Sequence, residues 1–244
     1  MLPWLPFVAA AFGAEVIGTM AGFGAATILT PVAAAFLDIK SSIALVAAFH
    51  LFGNLSRLFF FGRQADWRVW AAFGVPGIIA SLAGAVMAAW LPGVAVRAAF
   101  GGFLLVYVAS ECLGSRWRLP PRRGTLIAGG LASGVVAGLL GTGGAIRSAC
   151  LLAFSLPKEI YIGTSAAIAL CVDATRLPVY VAKGLFPSAL LPLLAALTVA
   201  AFAGSWVGQH LVRRISGPAF HRFVLGMLAV MGVKLLWEAS RGLG

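Results

Sequence analysis

The chain has little acid. Seven Asp and Glu residues stand against 18 Lys and Arg in 244 residues, and charged residues of all kinds make up only 10%. A soluble domain carries roughly a quarter charged residues. No polar stretch is longer than a loop, which excludes a separate aqueous domain, and nothing reads as a linker or a low-complexity tail. There are three cysteines, Cys112, Cys150 and Cys171. They are widely spaced within apolar runs, so neither a disulfide framework nor a cysteine metal site follows, and they read as small packing residues. Histidine is equally scarce, at three. No HExxH and no GxSxG occurs. A serine hydrolase needs a nucleophile beside a base. Ser165 is available, but His50 is the one histidine deep in an apolar run, so an intramembrane enzyme is disfavoured. No cofactor or metal is expected.

What the chain has is apolar mass. Hydrophobic residues make up 61%, and the mean hydropathy is +1.00. Runs of ~20 apolar residues, enough to cross a ~30 Å hydrocarbon core, recur throughout. The net charge of +11 would suggest nucleic acid in a soluble protein. Here the arginines sit mostly in short loops between apolar runs, where cytoplasmic loops collect them. The bilayer is therefore the expected partner, and nucleic acid is not. The opening "MLPWLPFVAA" lacks a basic leader region and reads as a first membrane segment.

Eight apolar segments are expected, at about 3–37, 41–62, 68–91, 94–114, 124–156, 160–182, 186–211 and 219–238. The first and fifth are too long for one crossing, since thirty-odd helical residues run about 50 Å. Both are interrupted by glycines, "GTMAGFGAA" at 18–26 and "GLLGTGGA" at 138–145. An ungapped shift of 119 residues aligns Gly22 with Gly141, Gly24 with Gly143, Ala26 with Ala145 and Leu37 with Leu156. It also lays "NLSRL" at 54–58 on "DATRL" at 173–177, so Arg57 meets Arg176. One membrane domain over residues 1–244 is expected, built from repeats at about 3–114 and 124–238. Duplicated halves with a broken helix in each are the pattern of secondary transporters.

Loop charge orients the halves. Arg63 and Arg68, then Arg116, Arg118, Arg122 and Arg123, then Arg213, Arg214 and Arg222 mark three basic loops. Placing all three in the cytoplasm requires segment five to turn back on itself. Each half then crosses an odd number of times, and the halves are inverted. The fold class expected is an all-α polytopic membrane protein of two homologous, inverted four-segment halves, each opening with a glycine-broken helix or hairpin.

The stretch "AGLLGTGGAIRSAC" at 137–150 carries the chemistry. Each glycine costs a helix ~1 kcal/mol relative to Ala, so Gly138, Gly141, Gly143 and Gly144 break it. The half-helix after a break offers free N–H groups and a partial positive charge, which suits an anion. Arg147 follows one turn later. It has three readings: substrate contact, an ion pair with Asp173, or a snorkelling side chain. The glycines have a second reading as close-packing positions. Asp173 and Arg176, three apart on one face, repeat the spacing of Asn54 and Arg57. Intramembrane charges are costly and are functional or paired, so a structural Asp173–Arg176 or Asp173–Arg147 ion pair is one reading, and a snorkelling or capped Glu15 another. Arg57 and Arg176 are candidate anion contacts, Asp173 an orienting or coupling group, and Glu15 a coupling carboxylate. Thr142, Thr164 and Ser165 offer hydroxyls to an oxyanion, or to their own helix carbonyls. His50 reads as a packing or hydrogen-bonded residue.

"GFGAATILTP" at 22–31 and "GLLGTGGAIRSACLLAFSLPKEIYIGTSAAIAL" at 138–170, with "GTS" at 163–165, resemble the paired glycine signatures of the TauE/SafE family of sulfite exporters. The resemblance spans nearly the whole chain. It implies a transporter of small sulfur-containing anions (sulfite, thiosulfate or an organosulfonate) in the cytoplasmic membrane. The chain departs from the family pattern at Ala25 and Ala26, where many members continue a glycine run. It departs again at Cys150, where proline is expected, and at Arg147, where a hydrophobic residue is common. The expected substrate-binding set is Gly22, Gly24, Gly141, Thr142, Gly143, Gly144, Arg147, Thr164, Ser165, Arg57 and Arg176, with Glu15 and Asp173 coupling or orienting. An anion channel is the alternative function. The sequence is compatible with a homo-oligomer.

Overall fold

A computed structural model describes residues 4–113, 120–211 and 217–242. Arg116, Arg118, Arg213 and Arg214 lie outside them, as does the side chain of Arg222. Among the described residues there is no strand, and ten α-helices follow in order. They are α1 (Leu5–Ala21), α2 (Ala25–Ala33), α3 (Ile39–Phe61), α4 (Trp67–Trp90) and α5 (Gly93–Cys112). Then come α6 (Arg123–Leu140), α7 (Gly144–Leu152), α8 (Lys158–Ala182), α9 (Leu191–Leu211) and α10 (Gly217–Ser240). Six helices among the described residues are long and apolar enough to cross a membrane: α3 to α6, α8 and α9. Asp38 and Asp66 fix where α3 and α4 begin. Each carboxylate accepts two N–H groups of the first turn, the usual N-cap chemistry.

The two overlong segments are hairpins. Gly22 and Gly24 both hold positive φ, +75° and +105°, a region where a Cβ is strained. The chain reverses there, and α2 runs back along α1. The Phe7 and Phe36 rings meet at 6.0 Å, and Trp4 lies 6.4 Å from Phe36. In the second hairpin Gly141 closes α6 at φ +77°, and α7 returns along α6. Ser133 Oγ donates to the Gly143 carbonyl at 2.8 Å, and Cys150 fills the space beside Gly129.

Helix pairing is symmetric under exchange of the halves. α4 packs on α6 as α9 packs on α1, and α4 on α8 as α9 on α3. α3 meets α8, and α5 meets α10, across the middle. The α4–α6 contact runs parallel and is close. Gly130, Gly134 and Gly138 abut the carbonyls of Phe73, Gly77 and Ser81 in turn. Gly204 and Gly208 of α9 abut those of Phe12 and Val16 of α1. Small residues at four-residue spacing let backbones approach where lipid supplies no hydrophobic drive. Gly138 is thus a packing glycine, while Gly141 makes the turn.

The hairpins enter from opposite ends. α6 runs parallel to α4, so it starts at the end where Asp66 N donates to Thr164 Oγ1 at 2.8 Å. α1 runs parallel to α9, so it starts at the other end. There Lys183 lies over the Trp90 ring at 5.5 Å, and Lys40 Nζ donates to the Ala89 carbonyl at 3.1 Å.

Candidate functional site

The hairpin tips meet inside the bundle. The space beside Gly144 is bounded by Phe23 Cβ at 3.4 Å and Gly24 N at 3.7 Å. Thr27 and Thr142 exchange a hydroxyl hydrogen bond across the gap. Here lies a cavity bordered by the first turns of α2 and α7. Gly24, Ala26 and Thr27 come from one hairpin, Thr142, Gly143, Gly144 and Arg147 from the other. His50 of α3 and Asp173 and Arg176 of α8 complete its polar wall. The cavity is small: a water molecule's centre can move over only ≈ 10 Å³ inside it.

Arg147 and Arg176 line the cavity and Arg57 is buried apart from it, and the three differ in what neutralises them. Arg176 Nε and Nη2 donate to Asp173 Oδ1 at 3.0 and 2.7 Å. Its guanidinium also reaches the last carbonyls of α6, with Nη1 donating to Ala137 O and Nη2 to Gly141 O at 3.2 Å. Tyr180 Oη donates to Gly138 O beside it. A cation at a helix C-terminus satisfies orphan carbonyls and opposes the helix dipole. Arg57 stands at the matching place in the first half, but its partners are side chains. It lies against Gly18 in the last turn of α1, and its Nη2 donates to Glu15 Oε1 at 2.6 Å. Its other N–H groups donate to Thr19 Oγ1 at 3.1 Å and Asn54 Oδ1 at 3.2 Å. Ser205 Oγ donates to Glu15 Oε1 at 2.7 Å.

Arg147 has no such partner. Only 4% exposed, it donates from Nε to Ser165 Oγ at 2.9 Å, and Ser165 in turn donates to Gly22 O at 2.9 Å. Among the described residues no carboxylate lies within ion-pair distance of it. Asp173 is committed elsewhere, so the Asp173–Arg147 pair considered from sequence does not form. The Arg176–Asp173 and Arg57–Glu15 pairs each sum to zero. The cavity therefore keeps one positive charge, beside two helix N-termini.

Of the residues singled out by sequence, Gly24, Gly141, Thr142, Gly143, Gly144, Arg147, Asp173 and Arg176 border the cavity. Gly22 sits one turn away, its space taken by the Tyr161 ring. Ser165 holds Arg147 from behind. Arg57 and Glu15 form the separate buried pair described above. Thr164 faces the α3–α4 connection, where it accepts from Asp66 N. Of the polar wall residues Thr27 escaped the sequence reading, while His50, read there as a packing or hydrogen-bonded residue, also borders the cavity. His50 Nδ1 meets Asp173 Oδ2 at 2.9 Å. The i, i+4, i+7 series of His50, Asn54 and Arg57 on one face of α3 carried that signal.

A multi-pass helical bundle with two broken helices meeting tip to tip at a buried charged cavity is the architecture of a membrane transporter. The chain belongs to the sulfite exporter TauE/SafE family, whose model matches residues 7–235. No curated protein and no solved structure matches it. It is a multi-pass membrane transport protein of an anion-exporting family, not an enzyme, and it works on a small molecule within a lipid bilayer.

Proposed function

We propose that this protein is a secondary transporter for a small sulfur-containing anion: sulfite, thiosulfate or an organosulfonate. It moves the anion across the cytoplasmic membrane by alternating access and holds it near mid-membrane between the two broken helices. The observation that carries this reading is Arg147, a buried cavity-lining cation with no carboxylate partner. An unpaired buried charge is expensive, and an anionic ligand offsets it. The free N–H groups at the starts of α2 and α7 add to the attraction, each helix end contributing ~0.3–1 kcal/mol or more where partly buried. In this reading Gly24, Thr142, Gly143, Gly144 and Arg147 touch the anion. Ser165 and Gly22 position Arg147. Arg57, Arg176, Glu15 and Asp173 hold the half-helices at their depth.

The cavity has room for about one water molecule, so in this reading the hairpin tips must part to load an anion. Alternating access fits two inverted repeats, about 3–114 and 124–238, rocking about the crossed hairpin tips. The hairpins entering from opposite ends, and the exchange symmetry of helix pairing, support that arrangement. The test is thermal stabilisation of the purified protein by a panel of solutes, since a ligand of the native state raises apparent stability by mass action. Sulfite, thiosulfate and methanesulfonate should stabilise; cations and uncharged solutes of equal size should not. Bilayer recording separates a channel from a carrier, because a channel shows unitary currents whereas a carrier saturates and counterflows with the membrane potential clamped. If only a cation or a neutral solute stabilises, the electrostatic argument is wrong.

A further inference from the structure

The cavity wall holds one titratable group that the anion-site reading leaves unused. His50 is 6% exposed and sits in the wall beside Asp173. Its hydrogen bonds fix its tautomer. Asp173 Oδ1 is taken by Arg176, and Oδ2 receives Asn54 Nδ2 at 3.1 Å. Asn54 cannot be turned the other way, because its Oδ1 accepts from Arg57. Asn54 Nδ2 also lies 3.1 Å from His50 Nδ1, but a lone pair on Nδ1 facing the ionised Asp173 at 2.9 Å would be repelled, so Nδ1 carries the proton and donates to Asp173. In the neutral imidazole Nε2 then carries a lone pair, and no described residue donates a hydrogen bond to it. A carboxylate behind Nδ1 fixes the tautomer and holds the ring still.

The charges facing His50 can be summed. α8 brings Asp173 and Arg176, which cancel. α3 brings Arg57, cancelled by Glu15 of α1. α7 brings Arg147, uncancelled. α2 and the end of α6 bring hydroxyls and backbone only, Thr27 and Thr142 among them. One uncancelled positive charge balances a monoanion. A dianion in the same buried site leaves one negative charge over, and a buried net charge is costly.

We infer that His50 takes up a proton from solvent, on Nε2, when a divalent anion fills the cavity, so that such an anion binds together with one proton. This rests on the anion-site reading and adds its coupling ion. The sign follows from linkage. If the bound state holds more protons than the free state, affinity rises as pH falls. Where free His50 is neutral and bound His50 is charged, the rise is about tenfold per pH unit. Histidine side chains in general change charge between about pH 5 and 8, and the slope is measured over that window.

The test uses thiosulfate, which stays divalent across that window. Sulfite itself titrates near neutrality and would confuse the count. Calorimetry of the purified full chain in two buffers of different ionisation enthalpy counts protons taken up per anion bound. Near one proton per thiosulfate is expected at the upper end of the window, with the tenfold slope. In His50→Gln the uptake should vanish and the affinity become flat with pH. The chain has three histidines, so nitrogen-15 NMR of histidine-labelled protein gives a second readout. The His50 signal, assigned with His210→Gln and His221→Gln, should move from neutral imidazole to imidazolium on adding thiosulfate, whether or not His50→Gln folds. Thiosulfate binding without proton uptake overturns the inference and leaves the anion site standing. So does uptake that persists in His50→Gln, or an imidazole that stays neutral. Methanesulfonate binding while thiosulfate does not would also overturn it. Failure of both anions to bind overturns the inference and the anion site together.

Discussion

Replacing Arg147 with Gln separates the three roles that a buried arginine can play. Its Nε donates to Ser165 Oγ at 2.9 Å, and no carboxylate neutralises it. Arg147→Gln therefore strands no opposite charge. It removes one neutral-acceptor hydrogen bond, ordinarily ~0.5–1.5 kcal/mol, and it also removes the desolvation cost of a lone cation. These oppose each other, so folding stability should change by no more than about 1 kcal/mol. Anion affinity should fall much further. A hydrogen bond to a charged group contributes ~1.5–3 kcal/mol, which at 1.4 kcal/mol per tenfold is roughly a ten- to hundredfold loss. Arg147→Lys should recover only part, since a point charge does not grip two oxygens as a guanidinium fork does. The assay is calorimetric or thermal-shift titration with methanesulfonate, on protein shown to be monodisperse. A folded Arg147→Gln protein with unchanged anion affinity would refute the reasoning and leave the glycine breaks as hinges alone.

Asp173→Asn should behave oppositely to Arg147→Gln. It strands Arg176 at 1% exposure, a loss of ~3–5 kcal/mol that a denaturation curve in detergent would read as a clear drop in midpoint. Gly134→Val should separate α4 from α6, because even a Cβ there would stand 2.2 Å from the Gly77 carbonyl. Overpacking of this kind costs ~1–3 kcal/mol, read as lost thermal stability, with Gly124→Ala, which meets open space, as the neutral control. For topology, single cysteines introduced within 115–123 and within 212–222 should both label from the cytoplasmic side. Labelling from opposite sides removes the inverted arrangement of the halves.

The sequence alone determined a great deal about this protein. Its hydropathy dictated a multi-pass helical bundle, because only internally hydrogen-bonded segments cross a bilayer. Glycine placement marked both breaks, since Gly22, Gly24 and Gly141 sit where the backbone needs positive φ. That is a local property, legible in one dimension. Its family signature was equally local, in the two glycine stretches. Eight apolar segments resolved into ten helices at those same breaks. What stayed out of reach was the partnering of charges. Arg57, Arg147 and Arg176 look alike on paper, each an arginine deep in an apolar run. Only packing separates them. α1 brings Glu15 to Arg57 from 42 residues away. The Asp173–Arg176 pair is the local exception, three residues apart on α8 and one of the readings the sequence offered. Nothing acidic is brought to Arg147. His50 is the same case, since its role depends on an aspartate 123 positions later. Local backbone preference acts within a few residues and can be read from them. Electrostatic neutralisation acts within a few ångströms of space, and only the tertiary fold decides which distant residues share that space.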